Sequence, residues 1–260
     1  MISILKKIVD QKWKDIESSK AAVSLEQLQK DLEQAPAPRD FLAALKSNAG
    51  VSLIAEVKRA SPSKGLIRED FDPVAIASAY ESSGASCISV LTDEHFFQGH
   101  LDYLRSVRSA VQIPVLRKDF ILDPYQVFEA RVAGADAVLL IAECLNETTL
   151  CQLHDQIVEL GMTPLVELYE EENLQAVLKS GAKLIGVNNR DLRTFEVDLN
   201  HTVRMKEKLP KDRTIVGESG IFTAEDVALL SGAGVDAMLV GESLMRAPDI
   251  GQAVRDLLSQ

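Results

Sequence analysis

Eight short apolar runs at even spacing, amphipathic stretches between them and a weak internal repeat predict an α/β fold. The form they predict is a closed (β/α)8 TIM barrel with an N-terminal helical extension. The runs lie at 53–57, 87–91, 114–116, 137–141, 163–166, 184–187, 214–217 and 237–241. The spacing is about 26 residues per unit, the length that a strand, a helix and two short loops need. Runs that are apolar on both faces belong to parallel strands covered by helices. Gly84-Ala-Ser, Gly134-Ala-Asp, Gly181-Ala-Lys and Gly234-Val-Asp each precede a run, at separations of 50, 47 and 53 residues. That is close to two βα units per repeat. An open doubly wound sheet usually has fewer strands and often a GxGxxG turn after the first, and the chain has no such turn.

Residues 1–48 are expected to form the extension, and residues 49–260 the barrel as one domain. Ile4, Leu5, Ile8, Val9, Trp13 and Ile16 fall near helical spacing, with Lys6, Lys7, Asp10, Lys12 and Lys14 between them. A second, polar helix is expected over 25–32, broken by Ala35-Pro36-Ala37-Pro38. Asp40 can cap a short helix through Leu45. Within the barrel, Asp72-Pro73 and Asp123-Pro124 place a capping carboxylate before a proline at the first helical position. Thr223 and Asp226 resemble a capping box. Gly84, Gly134, Gly181 and either Gly232 or Gly234 mark helix ends.

Composition narrows the function. The 260 residues are 46% hydrophobic and 26% charged, and 39 acidic against 28 basic residues give a net charge of −11. Binding to nucleic acid or to an anionic membrane needs a basic surface, so neither partner is expected. A small anionic substrate remains compatible, because one cleft can be locally positive. No apolar run approaches the roughly 18 residues of a membrane span, and the N-terminus does not read as a signal peptide. Cys87, Cys144 and Cys151 form no CxxC pair and read as small core filler in a reducing cytoplasm.

The active end of such a barrel lies at the carboxyl ends of its strands. Five runs end in polar residues: Glu56 and Lys58, Lys118, Glu167, Asn188 and Arg190, and Glu218. Side chains alternate faces along a strand, so Glu56 and Lys58 share the face of Ile54. Lys118, Glu167, Asn188 and Glu218 likewise sit two residues beyond an apolar residue of the same face. A merely solvated loop has no need of that parity. Lysines and carboxylates gathered in a concave mouth shift one another's pKa values and supply acid–base pairs. The turns after the last two runs, Glu218-Ser219-Gly220-Ile221 and Val240-Gly241-Glu242-Ser243, fit a phosphate site in which glycine lets the backbone approach an anion. Lys58-Arg-Ala-Ser61-Pro-Ser63-Lys64-Gly65 opens a loop long enough to act as a flexible lid, with Ser61 reaching the phosphate.

The segment Leu53-Ile-Ala-Glu56-Val-Lys58-Arg-Ala-Ser61-Pro-Ser63-Lys-Gly65 resembles the first-strand signature of the indole-3-glycerol-phosphate synthase family. The resemblance continues through Ser89-Val-Leu-Thr92-Asp, Phe96-Phe97-Gln-Gly99 and Leu116-Arg-Lys118-Asp119-Phe120-Ile121-Leu-Asp123-Pro-Tyr125-Gln126. It is completed by Glu167, Gly186-Val-Asn188-Asn189-Arg190-Asp191-Leu192, Glu218-Ser219-Gly220-Ile221 and Gly241-Glu242-Ser243-Leu244-Met245, spanning residues 52–246. The helical extension is also typical of that family. The resemblance implies conversion of 1-(2-carboxyphenylamino)-1-deoxyribulose 5-phosphate to indole-3-glycerol phosphate, CO2 and water, a step of tryptophan biosynthesis. It implies neither a metal nor an organic cofactor. A monomer or a homodimer is expected, and the sequence does not choose between them.

The resemblance also implies roles. Lys118 protonates the attacked ketone oxygen. Lys58 pairs with the substrate carboxylate and is available as a proton donor when water departs. Glu167 is the general base or proton shuttle, Glu56 and Glu218 keep the lysines charged and oriented, and Asn188 and Arg190 position the substrate. Ser61, Gly220 and Gly241 hold the phosphate, with Ser219 near the anthranilate or ribulose chain. Phe97, Phe120, Leu139 and Leu192 are candidates for an apolar wall around the aromatic ring, or plain core. Two residues depart from the commonest pattern. Glu242 stands where a small hydroxyl residue is frequent, and its carboxylate repels a dianion unless it points away. His100 follows Gly99 where serine is common and reads as a surface residue. Two rival readings are a phosphoribosylanthranilate-isomerase-like enzyme and a non-catalytic barrel that binds a phosphorylated ligand. An isomerase needs one acid and one base, so two lysines speak against the first; the intact Lys58, Lys118 and Glu167 speak against the second.

Overall fold

The structure, a computed structural model, describes residues 4–46, 50–191 and 193–259. The expected boundary between extension and barrel, at 48, lies outside the described residues, as does Leu192. Eight parallel strands close on themselves: β1 (Ser52–Val57), β2 (Cys87–Leu91), β3 (Val115–Lys118), β4 (Ala137–Ile141), β5 (Thr163–Leu168), β6 (Leu184–Asn188), β7 (Thr214–Glu218) and β8 (Ala237–Val240). Each pairs with its neighbours in sequence, and β1 closes the ring on β8, with Ile54 opposite Leu239.

Three helices precede the ring: α1 (Ile4–Ala22), α2 (Leu25–Asp31) and α3 (Phe41–Lys46). The others follow or flank the strands: α4 (Pro73–Ser82), α5 (Glu94–Phe97), α6 (Leu101–Ala110), α7 (Pro124–Val132), α8 (Glu147–Glu159), α9 (Leu174–Lys179), α10 (Asn200–Lys206), α11 (Ala224–Gly232), α12 (Glu242–Arg246) and α13 (Ile250–Leu258). Their ends follow local chemistry. Asp72 and Asp123 accept the first amides of α4 and α7 ahead of Pro73 and Pro124, and Thr223 with Asp226 forms a reciprocal capping box on α11. Gly234, at φ +73°, takes the left-handed turn after α11, while Gly232 remains helical. His100 is an N-cap: its Nδ1 accepts from the Asp102 amide of α6 at 3.1 Å, which a serine hydroxyl would also do.

One face of each strand looks inward. Ile54, Leu116, Leu139, Leu165, Leu184, Val216 and Leu239 fill the barrel, while Leu53, Ala55, Ile88, Val90, Leu140 and Ile185 pack outward against helices. Each fully buried aliphatic side chain contributes about 1.5–3 kcal/mol before entropy is counted. β3 runs two residues past the end of its apolar run because its charges find partners. Arg117, on the outward face, is buried between Glu129 of α7 at 2.7 Å and Asp119 at 3.3 Å, and donates to the Gln126 carbonyl.

The extension caps both ends of the ring. At the amino end of the strands, Phe41 and Leu45 of α3 are buried in the interior cluster, and Ser52 Oγ donates to the Leu45 carbonyl at 2.8 Å. At the carboxyl end lies α1, whose Ile8 joins the same cluster beside Phe120. The docked face of α1 differs from the expected one. Trp13 is 44% exposed, and Lys12, expected on the polar side, is buried. Its ammonium lies 2.7 Å from Asp93, after β2, and 2.8 Å from Asp119, after β3. Burial alone would lower the Lys12 pKa, but the two carboxylates outweigh it and raise it.

The loop after β1 carries its own structure. Ala60–Ser61 and Gly65–Leu66 pair as a short antiparallel hairpin, and Arg68 ties the returning chain to the carbonyls of Met245 and Ala247. Cys87 is the core residue expected, whereas Cys144 and Cys151 are only partly buried, and all three thiols are free. Among the described residues no helix is long and apolar enough to cross a membrane.

Candidate active site

Strand parity and the polar ends of the runs place one set of side chains at the carboxyl mouth. A cavity of about 160 Å³ opens there. It is lined by Glu56, Lys58, Ser61, Phe97, Lys118, Phe120, Leu139, Glu167, Asn188, Arg190, Glu218, Ser219, Gly220 and Gly241. Every sequence-selected residue within the described chain therefore converges on one space; Leu192 is outside it.

The charges interlock. Lys118 Nζ lies 2.9 Å from Glu167 Oε2 and 3.5 Å from Glu218 Oε2. Asn188 Nδ2 donates to the other Glu167 oxygen at 2.9 Å, and Asn188 Oδ1 accepts the Arg190 amide at 3.0 Å. Across the mouth, Lys58 Nζ lies 2.6 Å from Glu56 Oε1. Burial alone would lower the Lys118 pKa, but Glu167, Glu218 and Glu56 raise it above the usual lysine range, so the amine stays an ammonium. One ammonium cannot neutralise two buried carboxylates. Burial would raise Glu167, but Lys118 and the hydrogen bonds it receives hold it below its ordinary range. Burial and the Glu167 charge push Glu218 well above its own. Among the described residues Glu218 Oε1 is buried without a hydrogen-bond partner, and it is pressed against Gly186, where any Cβ would collide with it.

The turns after β7 and β8 form the other wall. Ser219 and Gly220 are consecutive left-handed residues, at φ +68° and +78°. Such a conformation costs a non-glycine residue about 1 kcal/mol or more. Asn189 holds it in place, donating from Nδ2 to the Ser219 carbonyl at 3.1 Å. Gly241 packs against Glu56, and a Cβ there would strike the carboxylate. Phe97 and Phe120 lie with ring centroids 6.1 Å apart beside Leu139 on the apolar side.

A family model for indole-3-glycerol phosphate synthase matches residues 5–257. The chain belongs to that family. A protein named indole-3-glycerol phosphate synthase from Rhodopirellula baltica is 58% identical over 258 residues, covering 99% of this chain and 100% of that one. One of the same name from Roseiflexus is 49% identical, covering 99% of this chain and 98% of its own length. Solved barrels are similar in fold alone. One is 3-hexulose-6-phosphate synthase from Salmonella typhimurium, with TM-score 0.65, 15% identity, and coverage of 80% of this chain and 96% of that one. Family membership assigns the chain to tryptophan biosynthesis.

Some lining residues escape a reading of strand ends. Ile4, Leu5 and Ile8 of α1 form part of the cavity wall. Their helical periodicity is visible in the sequence, but where that face docks is not. Phe195, Phe222 and Ser243 also line the cavity; Ser243 Oγ donates to the Ile221 carbonyl at 3.0 Å. Glu242 does not point away. It lines the cavity, with Lys64, Arg190 and Arg246 around its carboxylate at 3.4, 3.6 and 3.3 Å.

Proposed function

We propose that the chain acts as a carboxy-lyase, closing the indole ring of 1-(2-carboxyphenylamino)-1-deoxyribulose 5-phosphate with loss of CO2 and water. The observation that carries this reading is the convergence of Lys58 and Lys118, each beside a carboxylate, on one mouth flanked by the glycine turns after β7 and β8.

The ring carbon that bears the carboxylate attacks the ketone carbon, and the ketone oxygen gains negative charge. Lys118 donates the proton it needs. Its raised pKa keeps it charged at neutral pH, and only an oxygen developing alkoxide character draws the proton away. Lys58 pairs with the substrate carboxylate until CO2 departs. Departure returns the electron pair to the ring carbon. A base then removes a proton from the methylene carbon between the nitrogen and the former ketone carbon, and the hydroxyl on that former ketone carbon is protonated and leaves as water. Glu167, ionised and held by Asn188, is the base or shuttle, and Lys58 donates to the leaving hydroxyl. Glu56 orients Lys58, and Glu218 orients Lys118. Arg190, Ser61, Ser219, Gly220 and Gly241 bind the sugar-phosphate end, while Phe97, Phe120 and Leu139 receive the aromatic ring. The free thiols of Cys87, Cys144 and Cys151 fit a reducing cytoplasmic setting.

The test is direct. Purified protein incubated with the carboxyphenylamino sugar phosphate should develop indole fluorescence. Binding of substrate without fluorescence would leave only the ligand-binding reading.

A further inference from the structure

Three cations from three βα loops meet on one carboxylate at the phosphate side of the cavity. Lys64 comes from the hairpin after β1, Arg190 from the loop after β6 and Arg246 from the end of α12. Glu242, the carboxylate they share, begins α12 immediately after Gly241. Its contacts are long, at 3.3–3.6 Å, against 2.6 Å for Glu56–Lys58 and 2.9 Å for Lys118–Glu167. Glu242 is 15% exposed and Arg190 18%, so the cluster sits at the rim with water at its edge. A loose carboxylate cluster of that kind holds cations without committing them.

A phosphate dianion carries nearly twice the charge of a carboxylate and three strong acceptor oxygens. Bound beside Ser61, Gly220 and Gly241, it would lie beside Arg190 and against the same carboxylate, whose other side Lys64 faces. We infer that Glu242 is a positioning residue of the anion rim that competes with the substrate's phosphate for Lys64 and Arg190. Phosphate binding is then an exchange of anions on a prebuilt cationic rim. The carboxylate holds the rim together until a phosphate takes it over. This inference rests on the reading of the site as a phosphate site.

The experiment compares the wild type with Glu242→Gln, which keeps the shape and one acceptor and removes the charge. Inorganic phosphate is the probe, as a competitive inhibitor of ring closure. Expected is a phosphate inhibition constant about two- to tenfold lower in the variant, in the range that partly exposed charge pairs carry. Inhibition by phosphate should tighten by at least as large a factor as inhibition by acetate, and Lys64→Ala in the same chain should cancel most of the gain. A phosphate inhibition constant that is unchanged or higher in Glu242→Gln, with an unaltered thermal midpoint, would make Glu242 a strut for Arg190 and overturn the inference alone. If phosphate fails to compete even in the wild type, the phosphate reading of the site falls, and this inference with it.

Discussion

Replacing Lys12 by methionine tests how the extension is held over the mouth. The side chain is 6% exposed and its two short partners, Asp93 and Asp119, are 1% and 2% exposed. Methionine keeps much of the volume but leaves two carboxylates facing each other without their shared cation. Breaking a buried pair from one side costs about 3–5 kcal/mol, because the stranded charge is no longer compensated. Arg117 still reaches Asp119 at 3.3 Å, so the lower part of that range is expected. At about 2–4 °C per kcal/mol for a chain of this size, thermal unfolding should fall by roughly 6–12 °C. The loss should depend on pH. Burial would raise the Asp119 pKa, but Lys12 and Arg117 depress it, so its stabilising contribution is present above the unfolded value and fades as pH falls through the folded one. The gap between wild type and variant should therefore be full above about pH 5 and narrow below about pH 4. Urea unfolding at a series of pH values measures it. A loss below about 1 kcal/mol at pH 7, or a gap that widens in acid, would refute the account. Activity should fall as well, since Ile4, Leu5 and Ile8 of the same helix line the cavity.

Lys118→Ala should lower kcat by about 10²–10⁴-fold, the usual contribution of a positioned acid, while circular dichroism stays native; near-normal turnover would remove Lys118 from its role. In Glu218→Gln the folded state no longer carries a carboxyl whose pKa is raised. A raised carboxyl stabilises below its unfolded pKa and loses that contribution as pH rises through the folded value, so the variant should gain stability over the wild type from about pH 4 upward. Parallel denaturation curves at pH 5 and pH 8 with a constant offset would contradict this. Gly186→Ala should impair both stability and kcat, because the added methyl strikes Glu218 and has backbone at its rear. A fully active, equally stable alanine variant would show that the carboxyl is free to move aside.

Much of the architecture is legible because period-2 alternation survives into the polar strand ends. Ile54, Glu56 and Lys58 share a parity, as do Leu116 and Lys118, or Leu165 and Glu167; the barrel turns that parity into a direction. Capping chemistry at Asp72, Asp123 and Thr223 is local, so it is readable without the fold. Lys12 is not readable. One lysine four residues from Ile8 looks like solvated helix surface, and the carboxylates that bury it lie far along the chain. The same limit hides the extent of β3, where Arg117 continues the strand because Glu129 waits on the next helix. Glu242 is visible as an oddity beside the glycine turn after β8. Arg246 is its neighbour four residues along α12, but Lys64 and Arg190 come from separate loops, and only tertiary structure brings them in.

Gly241 leaves a notch, and the carboxylate of Glu56 fills it. Glu56 lies in the opening strand and Gly241 directly follows the closing one, so the seat for the carboxylate beside Lys58 is cut by a part of the chain made last. A nascent chain that has emerged only as far as β7 already owns both lysines and all three site glutamates, yet lacks this seam. The packing around the Glu56–Lys58 pair is thereby complete only once the last strand is in place.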